Sequence, residues 1–196
     1  MKLDLSGRVA LVTGGSRGIG QAIATALHCA GAKVAVLAKN GAGAQAAARA
    51  LGDSARGYAC DVGDAAQVET VVASVEREVG PIDVLVNNAG TRRDNLLFRI
   101  SDDDWDAVLQ TNLKGVFLMM KHAARGMIKR RAGRIINITS VVGMAASYTW
   151  RRSGVMSRVN SVSMNPGATA LTSTLREASS FATDLVRPIN PALADA

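Results

Sequence analysis

Residues 13–20 read Thr-Gly-Gly-Ser-Arg-Gly-Ile-Gly, and this stretch decides the fold of the 196-residue chain. It lies between a short run of β-branched and other apolar residues and a longer segment whose apolar residues recur at helical spacing. In a strand–turn–helix unit, glycines at the positions of Gly14, Gly18 and Gly20 allow a tight turn and a close approach of the main chain to a pyrophosphate. The first N–H groups of the following helix then face the phosphates. The stretch predicts a dinucleotide-binding turn, and a purely structural turn is the alternative.

Strand-like and helix-like segments alternate on from this turn. Residues 82–86 are apolar except for Asp83, and the run predicts a strand buried on both faces. Ser101, followed by Asp104 three residues later, is typical of a helix amino terminus. Such alternation predicts parallel strands joined by right-handed helical crossovers. Strands are predicted at 8–13, 33–38, 55–60, 82–86 and 134–139, and helices at 18–30, 42–51, 65–79 and 101–127.

The order of these segments predicts an α/β fold with one doubly wound parallel sheet of the Rossmann type. We expect the strand order 3-2-1-4-5-6, within a single domain spanning 1–196. After about residue 141 serine becomes frequent and the apolar periodicity weakens. The sequence therefore predicts an irregular final part and a sheet whose last strand is missing.

The composition is that of a globular chain, with 48% hydrophobic and 20% charged residues. Two cysteines, Cys29 and Cys60, are too few for a disulfide framework or a zinc site, so we expect no metal and two cysteines packed as small apolar side chains. No apolar run approaches the length of a membrane span, and no signal peptide is visible. These features predict a cytoplasmic protein without a membrane partner.

The net charge of +7 is concentrated near the end of the chain. Residues 121–196 hold 11 Lys and Arg against 3 Asp and Glu. No aromatic residues interleave with the basic ones, which argues against nucleic acid as a partner. Lys129, Arg130 and Arg131 form the densest basic group. They indicate either a solvated helix end or a surface for an acidic partner.

Further motifs follow the glycine turn in a fixed order. Cys60-Asp61-Val62 ends the third predicted strand, Asn87-Asn88-Ala89-Gly90 ends the fourth, and Ser140 follows the fifth. With the pattern Thr-Gly-x-x-x-Gly-x-Gly, they cover residues 5–143, and the chain resembles the short-chain dehydrogenase/reductase family. The resemblance implies a nicotinamide cofactor bound by Gly14, Ser16, Arg17, Gly18, Ile19, Gly20, Asp61, Val62, Asn88, Ala89, Gly90, Pro166 and Gly167.

The choice between the two nicotinamide cofactors depends on the end of the second predicted strand. Enzymes that use NAD usually carry an acidic residue there, which binds the ribose 2′-hydroxyl. Here the position is Ala38, followed by Lys39, and Arg17 lies in the glycine turn. Two cations and no carboxylate suit a 2′-phosphate, so the sequence predicts NADP(H). The alternative is that both cations are merely solvated.

The catalytic residues of the family are a serine, a Tyr-x-x-x-Lys pair and a helical asparagine. Residues 148–155 resemble the tyrosine segment but carry Arg152 where the family has lysine, and the gap from Ser140 to Tyr148 is shorter than usual. Arginine keeps the positive charge but does not release protons. The other tyrosine, Tyr58, lies inside a predicted strand. The resemblance implies that Tyr148 is the general acid, with Arg152 beside it, Ser140 orienting the carbonyl and Asn112 supporting a relay water.

The resemblance implies NADPH-dependent reduction of a ketone to an alcohol. The members that the chain most resembles act on 3-oxoacyl thioesters of acyl carrier protein in fatty acid biosynthesis, and other ketones stay open as substrates. Carrier proteins are acidic, which favours Lys129, Arg130 and Arg131 as their docking residues. The family also implies a homo-oligomer, a tetramer or a dimer. The alternative function is a truncated, catalytically silent relative that binds NADP(H).

Overall fold

A computed structural model describes residues 4–93 and 96–139 of the chain. The described part contains five strands and five α-helices that alternate up to the fourth strand. The strands are β1 (Val9–Thr13), β2 (Lys33–Ala38), β3 (Ala55–Ala59), β4 (Ile82–Asn87) and β5 (Arg134–Asn137). The helices are α1 (Gly18–Cys29), α2 (Gly41–Leu51), α3 (Ala65–Glu78), α4 (Asp102–Leu109) and α5 (Gly115–Arg130).

All strand pairs are parallel, and the sheet has the order β3-β2-β1-β4-β5. The predicted α/β fold is confirmed, and the predicted order holds for these five strands. Because the order reverses between β1 and β4, a crevice opens at the carboxyl ends of these two strands. The predicted loss of a sixth strand, the irregular part after 141 and the single-domain prediction all concern residues outside the described ranges.

Apolar residues fill both faces of the sheet, as expected for strands covered by helices on two sides. Every residue of β1 is buried. One face packs against the valine stripe of α3 and against α5, and the other packs against α1 and the alanine-rich α2. Small side chains on α2 let it approach β3 so closely that a Cβ on Gly57 would meet the main chain of Ala44. The valine stripe consists of Val68, Val71, Val72 and Val75.

The helix predicted at 101–127 extends in the structure to Arg130 and has an interruption. Ser101 begins it as predicted, since its side chain accepts a hydrogen bond from the Asp104 N–H at 3.1 Å. One turn of π-helix, Gln110–Lys114, separates α4 from α5. Sequence periodicity did not indicate this turn. Such turns occur frequently at functional sites.

Candidate dinucleotide-binding site

The turn between β1 and α1 has the backbone that the glycine pattern predicts. Gly14 and Gly18 have φ of +63° and +57°, which only glycine adopts without strain. A Cβ on Gly20 would fall on the Gly14 carbonyl oxygen and on the side-chain amide of Asn88. The side chain of Arg17, the N-cap residue, makes no capping hydrogen bond to the first turn of α1. The N–H groups of α1 therefore remain available for phosphate, and the turn fits a pyrophosphate.

The hydroxyl of Thr13 joins the end of β1 to the end of β4. Its oxygen accepts hydrogen bonds from the N–H groups of Asn88 (2.9 Å) and Ala89 (3.0 Å), and it donates to the Val86 carbonyl (3.3 Å). Thr13 is 1% exposed, so these bonds face no competition from water. The sequence motif contains this threonine, but only the fold shows that its hydroxyl is the connection between the two strands.

The side chain of Asn88 adds a second connection across the crevice. Its amide nitrogen donates to the carbonyls of Thr13 (3.1 Å) and Gly14 (3.2 Å). Ala89 also lies against this turn, since a Cβ on Gly14 would come within 2.9 Å of the Ala89 Cα. Gly14, Gly20, Asn88 and Ala89, which are far apart in sequence, thus meet at one point. This is the place where the fold expects a dinucleotide.

Lys39, directly after β2, forms an ion pair with Asp61, which lies in the loop after β3. Lys39 Nζ lies 2.7 Å from Asp61 Oδ2, and Asp61 Oδ1 accepts the Gly63 N–H at 3.0 Å. The hydrogen bond from Lys39 holds the pKa of Asp61 below its usual range, and the bond to Asp61 raises the pKa of Lys39. Sequence reasoning placed both residues at the cofactor but missed this pair. Val62, between Asp61 and Gly63, is buried.

Three further predicted contact residues border the glycine turn. Ser16 lies against Gly43 at the start of α2, and the Arg17 side chain is exposed and has no hydrogen bond or ion pair with any other described residue. Ile19 is also exposed, at 67%, although it is a large apolar residue.

Asn112 occupies the middle of the π turn and holds the loop that follows β4. Its Oδ1 accepts the Thr91 N–H at 2.8 Å, and its Nδ2 donates to the Thr91 carbonyl at 2.9 Å. The amide of Asn112 also lies next to Gly90, where an added Cβ would come within 3.4 Å of Oδ1. Asn112 therefore positions the segment 89–91 at the rim of the crevice.

The remaining predicted catalytic and cofactor residues lie outside the described ranges. They are Ser140, Tyr148, Arg152, Pro166 and Gly167. The last described residues of this region run along β5, where the Ile138 N–H donates to the Asn87 carbonyl at 2.8 Å. The carboxyl end of β5 thus borders the same edge of the sheet as the glycine turn.

The basic group Lys129–Arg131 lies at the other edge of the sheet. It ends α5, and Arg130 donates a hydrogen bond to the carbonyl of Ile82, the first residue of β4, at 2.7 Å. Since a strand residue rises about 3.3 Å, roughly 16 Å of strand separates this edge from the crevice. Lys129 and Arg131 are exposed. The group therefore cannot contact a ligand in the crevice of its own chain directly.

Other conspicuous residues have local structural roles. Tyr58 lies within β3 and donates to Glu78 at 3.0 Å, and burial together with this bond raises its pKa to about 12. Cys60 is buried as predicted, and burial raises the pKa of its thiol to about 11. The prediction for Cys29 was wrong: it is exposed, because α1 turns Gly20 and Ala24 toward the sheet instead.

Neither a metal centre nor a membrane span is found within residues 4–93 and 96–139. No three His, Cys, Asp or Glu side chains in these ranges are grouped as ligands. None of the helices described there combines the length and the apolarity that crossing a bilayer requires.

Comparison with known proteins agrees with this geometry. The sequence model of the short chain dehydrogenases matches residues 8–152. The chain is 40% identical over 193 residues to the 3-oxoacyl-[acyl-carrier-protein] reductase FabG of Vibrio harveyi, an alignment that covers 96% of this chain and 79% of that protein. Identity to FabG of Escherichia coli K12 is 39% with the same coverage. The 3-oxoacyl-[acyl-carrier-protein] reductase of Synechocystis is 39% identical over 195 residues, 95% of this chain and 79% of that protein.

Proposed function

This chain belongs to the short-chain dehydrogenase family and is an oxidoreductase of that family, and on this premise we propose that it uses NADPH to reduce a 3-oxoacyl thioester to the 3-hydroxyacyl form. The observation that carries the proposal is the crevice between β1 and β4, where Gly14, Gly20, Asn88 and Ala89 meet, in a chain 40% identical to a reductase of that substrate class. Bound NADPH supplies the hydride, and the protein binds and orients it.

NADP(H) is the cofactor because the adenosine end of the crevice is positively charged. Arg17 is exposed beside the glycine turn and engages no other described residue, so its guanidinium is available to a 2′-phosphate. Lys39 shares its charge with Asp61. At Ala38, the end of β2, no carboxylate repels the phosphate. Arg17 therefore supplies the larger part of the discrimination.

The proton and the orientation of the ketone come from side chains beyond the described part. Tyr148 donates a proton to the carbonyl oxygen as hydride reaches its carbon, Ser140 orients that oxygen, and Arg152 favours the tyrosinate that remains. Asn112, held on Thr91, keeps the rim of the crevice in place and supports a relay water. The carbonyl gains one hydride and one proton, which gives the alcohol.

We also propose that the chain forms a homo-oligomer through its long helix. Trp105, Leu109, Leu113 and Phe117 recur every four residues and are between 37% and 65% exposed. Four neighbouring exposed apolar side chains on one helix face are typical of a surface that binds another protein. If two such helices pair antiparallel, the basic end of one lies near the crevice edge of the other.

An acidic acyl carrier protein is the proposed macromolecular partner. Lys129 and Arg131 are exposed at the far edge of the sheet, and the antiparallel pairing brings them to the partner's crevice. Changing both to glutamate should raise the KM for carrier-bound substrate, and a free thioester substrate should be unaffected. Arg49→Glu, an exposed position on α2, is the matched control. An unchanged KM for the carrier-bound substrate would show that Lys129 and Arg131 do not bind the carrier protein and form only a solvated helix end.

One experiment tests the proposed activity. NADPH oxidation is measured with acetoacetyl thioesters as substrates, beside a fluorescence titration of NADPH binding. Oxidation that depends on the ketone supports the reductase. Binding without oxidation by any ketone identifies a catalytically silent nucleotide-binding protein, and no binding contradicts both.

A further inference from the structure

The π turn Gln110–Lys114 holds two different loops at once. Gln110 Nε2 donates to the Gly63 carbonyl at 2.6 Å, in the loop after β3. Asn112 makes the two hydrogen bonds to Thr91, in the loop after β4. Side chains two residues apart on a helix do not face each other, so one turn can reach two loops on opposite sides. The loop after β3 carries Asp61, and the loop after β4 carries Gly90.

Two further contacts link Gly63 to Lys39, at the adenosine end of the crevice. The Gly63 N–H donates to Asp61 Oδ1 at 3.0 Å, and Asp61 Oδ2 lies 2.7 Å from Lys39 Nζ. Gln110 therefore holds Gly63 by its carbonyl, the N–H of the same residue orients the Asp61 carboxylate, and the carboxylate holds the lysine. Each bond in this series is shorter than 3.1 Å.

Close packing keeps this loop from moving independently of the helix. A Cβ on Gly63 would come within 2.8 Å of Gln110 Cγ, and a Cβ on Gly115 would come within 2.7 Å of Val62 Cγ2. Val62 is 6% exposed. A displacement of the π turn must therefore be shared by the segment that carries Asp61, because packed interiors do not deform freely.

We infer that Gln110 is a positioning residue for the adenosine end of the cofactor, and that the π turn couples this end to the segment 89–91. The inference rests on the proposed function, since it takes NADP(H) as the ligand. Gln110 contacts no cofactor atom in this scheme. It acts through Gly63 and Asp61 on Lys39, which contributes the smaller part of the preference for NADPH over NADH.

The test compares Gln110→Leu and the nearly isosteric Gln110→Glu, which cannot donate to Gly63 at neutral pH, with the wild type. Gln45→Leu is the matched control, because Gln45 is an exposed glutamine on α2. Dissociation constants for NADPH and NADH and amide hydrogen exchange are measured for each variant, with circular dichroism as a check of folding.

Loss of one positioning hydrogen bond should weaken NADPH binding about threefold in both Gln110 variants, and NADH binding much less. Exchange should increase at Gly63 and also at Thr91, and the control should match the wild type. Equal weakening of both cofactors, or unchanged binding, would overturn the positioning role. Increased exchange at Gly63 without any change at Thr91 would overturn the coupling. Failure of wild-type NADPH binding contradicts the proposed function, whereas the exchange result still decides the coupling.

Discussion

The side-chain amide of Asn88 donates a hydrogen bond to the main-chain carbonyl of Gly14 over 3.2 Å. The bond joins the loop after β4 to the glycine turn after β1, 74 residues earlier in the chain. A third element, α1, fits into the same contact only because Gly20 has no side chain. The geometry of the crevice therefore depends on three segments packed at main-chain distance.

Gly20→Ala should abolish cofactor binding. Its new Cβ would collide with the Gly14 carbonyl and the Asn88 amide, and neither can move without opening the crevice. Gly43→Ala is the control, because its Cβ would meet Ser16 at an ordinary 3.6 Å within α2. We expect the control to bind normally and to unfold at an equal or higher temperature. A titration that finds unchanged NADPH affinity in Gly20→Ala would contradict the proposed site.

NADPH should bind at least tenfold more tightly than NADH, a difference of about 1.4 kcal/mol. Arg17→Ala should remove most of this preference, and Lys39→Ala should remove less, because Asp61 already engages Lys39 at 2.7 Å. Fluorescence titrations with both cofactors measure the ratio of the two affinities in each of the three proteins. Equal affinities in the wild-type protein would refute the assignment of NADP(H). A larger loss of preference in Lys39→Ala than in Arg17→Ala would refute the prediction that Arg17 contributes more.

Asp64→Ala should lower the temperature of thermal unfolding, because it removes the side-chain cap of α3. Asp64 caps α3 by accepting the N–H groups of Ala66 (2.9 Å) and Gln67 (3.1 Å), and the bonds from Gln67 hold its pKa below the usual value. The contribution is thus present above the unfolded pKa of about 3.9 and is lost as the pH falls through the lower folded value.

Thermal unfolding measured near neutral pH and near pH 3 checks this prediction. The difference between Asp64→Ala and the wild type should shrink at the lower pH. Asp53→Ala, at an exposed position, serves as the control. A difference that stays constant down to the lower pH would exclude the carboxylate as the cap.

Tyr58 should ionise only at about pH 12. Burial and the hydrogen bond to Glu78 favour its neutral form, so its contribution to stability is present below the unfolded pKa of about 10 and is lost as the pH rises toward 12. Ultraviolet titration of the phenolate, with Tyr58→Phe for assignment, measures this value. Ionisation near pH 10 in the folded protein would contradict the contact.

Arg152→Lys should raise kcat without changing NADPH affinity. Lysine has three donors on a flexible stem and can pass protons, whereas the guanidinium cannot. General acid–base catalysis contributes about 10²–10⁴-fold, so a poor relay slows turnover and leaves binding intact. Tyr148→Phe should abolish turnover. If the wild type and Arg152→Lys are both inactive, the reductase is excluded and the silent nucleotide-binding protein remains.

Much of the fold was predictable because it depends on local periodicity. The five strands and the Ser101 cap are confirmed, since alternation and capping are properties of neighbouring residues. Cys29 was predicted in the core and is exposed, because periodicity alone does not show which side of α1 faces the sheet. The π turn at 110–114 was also missed, and no local signal indicates it.

The sequence by itself determined the order of the elements and the position of the glycine turn, because both follow from short-range patterns. Only the tertiary structure decided which side chains meet after the crossovers. The Lys39–Asp61 pair and the Gln110–Gly63 bond, 47 residues apart, join loops that no local pattern relates. The physical reason is that parallel strands bring the loops at their carboxyl ends to one edge, where the contacts depend on helix packing.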